Sequence, residues 1–252
     1  MADFRIENRT LTDSPPAESA EPFVYQHIHV CDLRPVELAS HLAVAAAEAR
    51  EAFGTDFRPD PRETDSLCRQ MLLRNRYPQE LSACIVMRLG ASGTVHYRCG
   101  GIFAHKGLAF NAVRPEATIL CHDLPFGEGH TSVRLETHRT AMAVAHRRGF
   151  GSVVRCTAQG YAATLDDNPL FAVFGRRIVT PPAPPSVERD RVVRAAAAAG
   201  YALAEEPLTN EMLLRADEIF CSDCRGITAL SRCDSRTLGD IIAHRIAEIF
   251  EF

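Results

Sequence analysis

Apolar and polar positions alternate over residues 23–30 (FVYQHIHV), the two-residue period of a half-buried strand. From Pro35 the period lengthens. Leu38, Leu42, Ala45, Ala49 and Phe53 fall on one face, which predicts a helix over 35–53 that Gly54 ends. A second helix is expected over 63–76. Strands follow at 83–89 and 94–99 around a Gly-Ala-Ser-Gly turn, then near 108–113 and 117–122. Residues 10–22 are polar and proline-rich and read as an extended or mobile lead-in.

The turn-rich stretch 123–131 (DLPFGEGHT) reads as a join between two domains. Beyond it the pattern predicts a helix over 137–148 stopped by Gly149 and a strand over 152–157. Strands at 170–174 and 177–179 flank a Phe-Gly-Arg turn. A helix over 186–199 follows a Pro-rich loop and stops at Gly200. The chain closes with a strand at 201–205, a short helix at 210–216, strands at 218–221 and 226–230, and an amphipathic helix at 238–250. The fold class is therefore α+β without internal repeats. It divides into a lead-in over 1–22, a small N-terminal α/β domain over 23–124 and a larger C-terminal domain over 125–252.

Composition narrows the function. The net charge of −4 and the lack of an arginine-lined face argue against a nucleic-acid partner. No apolar run approaches the roughly 18 residues of a membrane span, and the first ten residues lack the apolar core of a secretory signal. Nine scattered cysteines fit a reducing cytoplasm, with most of them acting as small buried apolar residues. Lysine occurs once, at Lys106.

Three segments resemble the class IV aminotransferases, the fold-type IV pyridoxal phosphate enzymes that include branched-chain and D-amino-acid aminotransferases and aminodeoxychorismate lyases. Residues 171–182 (FAVFGRRIVTPP) resemble the strand, turn and Thr-Pro-Pro stretch of that family. Residues 185–192 (PSVERDRV) resemble its LPGITRDRV helix start. Residues 214–220 (LRADEIF) resemble its LxxADEVF strand, which leads to a TGT turn. Residues 37–42 (ELASHL) are more weakly similar to its LxxHLxRL helix. The resemblance implies a two-domain, D-amino-acid aminotransferase-like architecture, a homodimer, and an active site between the domains near the dimer interface.

The resemblance also places the family's cofactor residues on unsuitable side chains. Counting back from Gly149, the cofactor-bearing lysine falls on Thr131, with His130 as the nearest alternative. The ring-nitrogen glutamate falls within 161–164 (YAAT), while Asp166 and Asp167 stand two or more positions away. The phosphate arginine falls on Val44. In the phosphate cup, Ser186 and Glu188 replace a glycine and a threonine, and Asp223 and Cys224 replace the end of TGT. A carboxylate about 4 Å from a phosphate, at an effective dielectric near 20, is unfavourable by roughly 4 kcal/mol per charge pair. The expectation is therefore a protein without pyridoxal phosphate.

The candidate site residues are His130, Thr131, Arg134, Glu136, His138, Glu188, Asp223 and Cys224, a set suited to acid–base chemistry. Arg134, Glu136 and His138 would share one face if they lay on a strand. Cys221 and Cys224 have the CxxC spacing of a zinc or redox pair, though zinc would also need Cys233 or His130. Lys106 reads as an exposed lysine before a turn glycine, with a displaced cofactor lysine as the rival reading. The leading functional expectation is a cofactor-independent acid–base or lyase-type enzyme of specialised metabolism acting on a small amine-bearing metabolite. Its rivals are a non-catalytic pseudoenzyme or partner subunit, and a genuine pyridoxal phosphate aminotransferase or lyase whose site is misaligned.

Overall fold

A computed structural model describes residues 3–14 and 20–250. The chain forms two compact units. The first runs to Gly107 and takes in Gly129–Val133; the second comprises Leu108–Glu128 and the chain from Arg134 onward. Against the break expected at 124/125, two strands that precede it pair within the second unit's sheet.

The first unit contains β1 (Arg5–Glu7), β2 (Thr10–Thr12), β3 (Phe23–Cys31), β4 (Arg34–Pro35), α1 (Leu38–Phe53), α2 (Pro61–Arg74), β5 (Ala83–Gly90) and β6 (Val95–Ile102). Its sheet has the order β2-β1-β6-β5-β3-β4. β3 and β5 pair along their length, from Phe23 opposite Gly90 to Val30 opposite Ala83. Val24, Ile28, Ile85, Met87 and Leu89 form a core with Leu38, Leu42, Ala45 and Ala49 of α1 and with Met71 and Leu72 of α2. Part of the lead-in is therefore ordered: Thr10–Thr12 pairs with Arg5–Glu7, whereas residues 15–19 lie outside the described residues.

α1 starts three residues later than the periodicity predicts. Asp32 and Leu33 both have positive φ (51° and 58°), the signature of a tight two-residue hairpin turn. That turn folds Arg34–Pro35 back onto β3, and the Val36 amide donates to the His29 carbonyl at 2.8 Å. Pro35 thus ends a hairpin instead of opening the helix. Gly54, at φ 71°, closes α1 as expected.

The second unit contains β7 (Ala109–Phe110), β8 (Glu116–Cys121), α3 (Ser132–Arg147, followed here from Arg134), β9 (Ser152–Cys156), β10 (Ala162–Leu165), β11 (Asn168–Phe174) and β12 (Arg177–Thr180). It continues with α4 (Val187–Ala198), β13 (Ala202–Glu205), α5 (Asn210–Leu213), β14 (Glu218–Asp223), β15 (Gly226–Ala229), β16 (Arg232–Cys233), β17 (Arg236–Thr237) and α6 (Ile241–Ala247). The main strand order is β17-β16-β8-β9-β10-β11-β14-β15-β7, with β12 and β13 extending from β11.

Alternation along β11 and β14 sends Leu170, Ala172, Ile219 and Cys221 into one core. Phe171, Val173 and Phe220 enter another, which α4 and α6 cover. The helices expected at 210–216 and 238–250 are shorter than predicted. In the second case the Gly239 amide is committed to the Asp217 carbonyl at 2.8 Å, so the backbone turns helical only beyond it. β10 was not anticipated, because Ala-Ala-Thr-Leu carries little of the β-branched, alternating signal.

Candidate functional site

In the first unit, Thr131 is buried and makes a β-bridge with Val24. His130 before it is held from several sides. Its carbonyl accepts from the Tyr25 amide at 2.9 Å. Its own amide and its ring Nδ1 meet Glu48 Oε1 at 3.0 and 2.7 Å. The other oxygen of Glu48 accepts from Gln26 Nε2 at 3.3 Å, and Gln26 Oε1 faces His41 Nδ1 at 3.0 Å. His130 is therefore one end of a polar chain through Glu48 and Gln26 to His41, with the last three buried. Sequence reasoning missed Glu48, Gln26 and His41. A signal did exist: His41 and Glu48 stand two helical turns apart and both interrupt the apolar face of α1.

Lys106 also lies in the first unit, half exposed, with Nζ 2.6 Å from Asp32 Oδ1. The hydrogen bond to Asp32 raises the lysine pKa above its ordinary value, so the amine is held protonated. Asp32 belongs to the tight turn at the end of β3, so the ion pair ties that turn to the chain just before Gly107.

In the second unit, Arg134, Glu136 and His138 lie on α3, not on a strand, because the helix begins at Ser132, five residues earlier than predicted. At about 100° per residue, Arg134 and His138 share a face and Glu136 turns away. Arg134 is buried. Its Nε donates to Asp167 Oδ1 at 2.5 Å, its Nη2 to the Asp167 carbonyl at 2.8 Å, and its Nη1 to the Glu128 carbonyl. Glu136 is exposed and paired with Arg139 at 2.6 Å, away from Arg134 and His138.

Asp166 lies beside this group. Its carboxylate accepts from the Ser152 hydroxyl at 2.6 Å and from the Val153 amide at 2.8 Å. Burial raises its pKa, opposed by those two hydrogen bonds and by the nearby charges of His138 and Arg225. Asp223 belongs to the same neighbourhood through Arg225, whose backbone amide and Nε donate to it at 2.7 and 2.9 Å, with Nη2 at 2.5 Å. The structure thus groups Arg134, His138 and Asp223 with Asp166, Asp167 and Arg225.

Glu188 stands in the first turn of α4, where its carboxylate accepts from the Ser186 hydroxyl at 2.9 Å while that hydroxyl caps the Arg189 amide. Cys221 is buried on β14, and desolvation holds its thiol pKa well above the ordinary value, so it is a poor thiolate. Cys224 is half-buried. Among the described residues, no three His, Cys, Asp or Glu side chains converge as metal ligands.

No protein-family model matches the sequence, and no curated protein matches it. Solved structures do match the fold. An aminotransferase from Brucella abortus bound to pyridoxal phosphate aligns with a TM-score of 0.82 at 17% identity, covering 99% of this chain and 98% of that one. The pyridoxal phosphate-bound form of a hypothetical aminotransferase from Mycobacterium tuberculosis aligns at 0.80 and 16% identity, covering 98% and 97%. A branched-chain aminotransferase from Thermoproteus uzoniensis with norvaline aligns at 0.82 and 18% identity, covering 98% and 93%. The chain has the α+β fold of the fold-type IV aminotransferases.

The expectation of a protein without pyridoxal phosphate is corrected by these matches, since the Brucella and Mycobacterium proteins hold that cofactor on the same fold. The two carboxylates of the expected phosphate cup are also engaged by neighbouring donors. Asp223 is offset by the Arg225 guanidinium, and the Glu188 carboxylate accepts the Ser186 hydroxyl, so neither is the bare charge that the sequence suggested.

Proposed function

We propose that this chain is an aminotransferase-like protein that binds a cofactor of the pyridoxal phosphate class and acts on a small amine-bearing metabolite. The observation that carries the reading is the match of almost the whole chain to two pyridoxal phosphate-bound aminotransferases. The donor set of the second unit supports it. The carboxylates of Asp166, Asp167 and Asp223 are engaged by donors, while Ser222 Oγ and two nitrogens of Arg155 are buried without a partner among the described residues. Unspent donors suit an anionic, phosphorylated cofactor.

When bound, such a cofactor supplies an electron sink for chemistry at an amine-bearing carbon. The protein's part is to hold it and to position acid–base groups such as Asp166, whose pKa burial raises. The cofactor is held without a covalent link. The sole ε-amine, Lys106, is a protonated partner of Asp32 in the first unit, and the resemblance puts a threonine at the family's lysine position. We further propose a homodimer in a reducing cytoplasm, where nine free thiols are stable.

The test is a titration with pyridoxal phosphate followed by absorbance and cofactor fluorescence; the chain has no tryptophan to interfere. Saturable binding is expected, equal in wild type and Lys106→Ala, with no label on Lys106 after borohydride reduction and peptide mapping. Absence of saturable binding overturns the cofactor reading. Loss of binding in Lys106→Ala, together with labelled Lys106, overturns the non-covalent one.

A second reading, a non-catalytic partner subunit, is favoured by the same Lys106–Asp32 ion pair. It predicts that protein loaded with the pyridoxamine form shows no spectral conversion with any of a panel of 2-oxo acids.

A further inference from the structure

β8 and β9 run parallel, with Leu120 opposite Arg155 and Cys121 opposite Cys156. The pairing extends one residue further, where the His122 amide donates to the Cys156 carbonyl at 2.9 Å. Side chains alternate across a strand, so Leu120, His122 and Arg155 share one face. On the other side of β9, Thr164 of β10 lies opposite Arg155 on that same face.

Arg155 is only 5% exposed. Its Nη2 donates to the Glu128 carboxylate, but its Nε and Nη1 are buried with no acceptor among the described residues. Nε2 of His122 is in the same state. The two side chains are close: burial and then the Arg155 charge hold His122 below the ordinary histidine pKa, against Asp123 and Glu128, which raise it.

A buried guanidinium with most of its donors unused is a costly arrangement. Nη2 is common to both forks of the guanidinium, so a carboxylate that engages Nη2 alone leaves a two-point contact unmade on either side. Glu128, which makes that single contact, is 40% exposed in its side chain and sits in the turn-rich segment between β8 and α3. It occupies the solvent side of an otherwise enclosed cation.

We infer that Arg155 and His122 form a binding site for a small oxyanion, a carboxylate or a phosphate, that takes the place of Glu128 on the guanidinium. The ligand's two oxygens engage Nη2 and a neighbouring N–H of Arg155, and His122 donates to it from Nε2 in the tautomer that carries its proton there. Thr164 supplies a polar wall. Glu128 then acts as a resident competitor that keeps the cation paired when the site holds no ligand. This site rests on the same unspent Arg155 nitrogens as the cofactor reading, but its test is separate: the probes are simple anions and the protein is cofactor-free, so acetate or phosphate can bind where pyridoxal phosphate does not, and the two failures are told apart.

The experiment titrates wild-type protein with sodium acetate, and separately with inorganic phosphate, at constant ionic strength. Isothermal calorimetry and the His122 ring signals in NMR report binding. Saturable binding of at least one probe is expected, with perturbation of His122; preference for acetate assigns a carboxylate ligand, and preference for phosphate a phosphorylated one. Glu128→Gln removes the competing charge and should tighten binding by roughly tenfold, while Arg155→Lys should weaken it by a similar factor. Two results overturn the site: no saturable binding of either anion by wild type and Glu128→Gln, or unchanged affinity in a folded Arg155→Lys. Should Arg155→Lys fail to fold, Glu128→Gln decides alone, because a purely structural ion pair predicts no gain in anion affinity there.

Discussion

At the scale of single residues, the part-buried Asp166 and the buried Glu48 each carry a prediction. Asp166 has its pKa raised by burial, so the folded state holds its proton more tightly than the unfolded chain does. Its contribution is therefore most favourable below the ordinary carboxyl range and is lost as pH rises through the raised folded value. Asp166→Asn keeps an acceptor for the Val153 amide, and asparagine tolerates the positive φ of 48° at this position. The variant should gain stability relative to wild type as pH increases from 4 to 7; urea midpoints showing a constant difference across that range would refute the assignment. Glu48 accepts from His130 and Gln26 with its two oxygens. Glu48→Ala strands those donors and should cost about 3 kcal/mol, read from the urea midpoint. The apolar face of α1 was legible from the sequence. That His41 and Glu48 break it in order to meet Gln26 and His130 was not, because Gln26 and His130 come from distant points of the chain.

At the scale of elements, periodicity located most strands and helices but not the points where backbone groups were already committed. α6 shows why. Its N-cap residue Asp240 makes no side-chain cap bond. The capping is done by Glu218 on β14, whose carboxylate accepts from the amides of Ile242 (2.9 Å) and Ala243 (2.9 Å). Glu218→Ala should destabilise by about 2 kcal/mol through loss of the cap and its favourable charge. Hydrogen exchange should show those two amides losing protection first; protection equal to wild type would rule the cap out. Gly226 fixes the meeting of β15 and β7 in another way. It has φ 129°, and a Cβ there would lie 2.0 Å from the Ala109 carbonyl oxygen. Gly226→Ala should cost about 3 kcal/mol or more, with a lowered melting temperature and loss of the β7 pairing; an unchanged melting temperature would show that the backbone relaxes freely. α3 was the costliest misreading. Starting it five residues late put Arg134, Glu136 and His138 on one face of an imagined strand, whereas the helix turns Glu136 away to an exposed pairing with Arg139.

At the scale of the whole molecule, the segments at 171–182, 185–192 and 214–220 were enough to name a fold that solved structures match over nearly the entire chain. The proposed homodimer predicts twice the chain mass in sedimentation equilibrium; a monomer at micromolar concentration would count against it. The sequence alone determined the fold, because apolar period, turn glycines and motif spacing are local properties that survive as substitutions accumulate. It also determined that one lysine exists and where it stands. Only tertiary structure decided the state of the charges. Asp223 is matched by Arg225, His130 is spent on Glu48, Lys106 is tied to Asp32, and Arg155 is buried with donors unspent. The net charge at a point in a protein is a sum over neighbours brought together by folding, and that sum cannot be read from the order of residues along the chain.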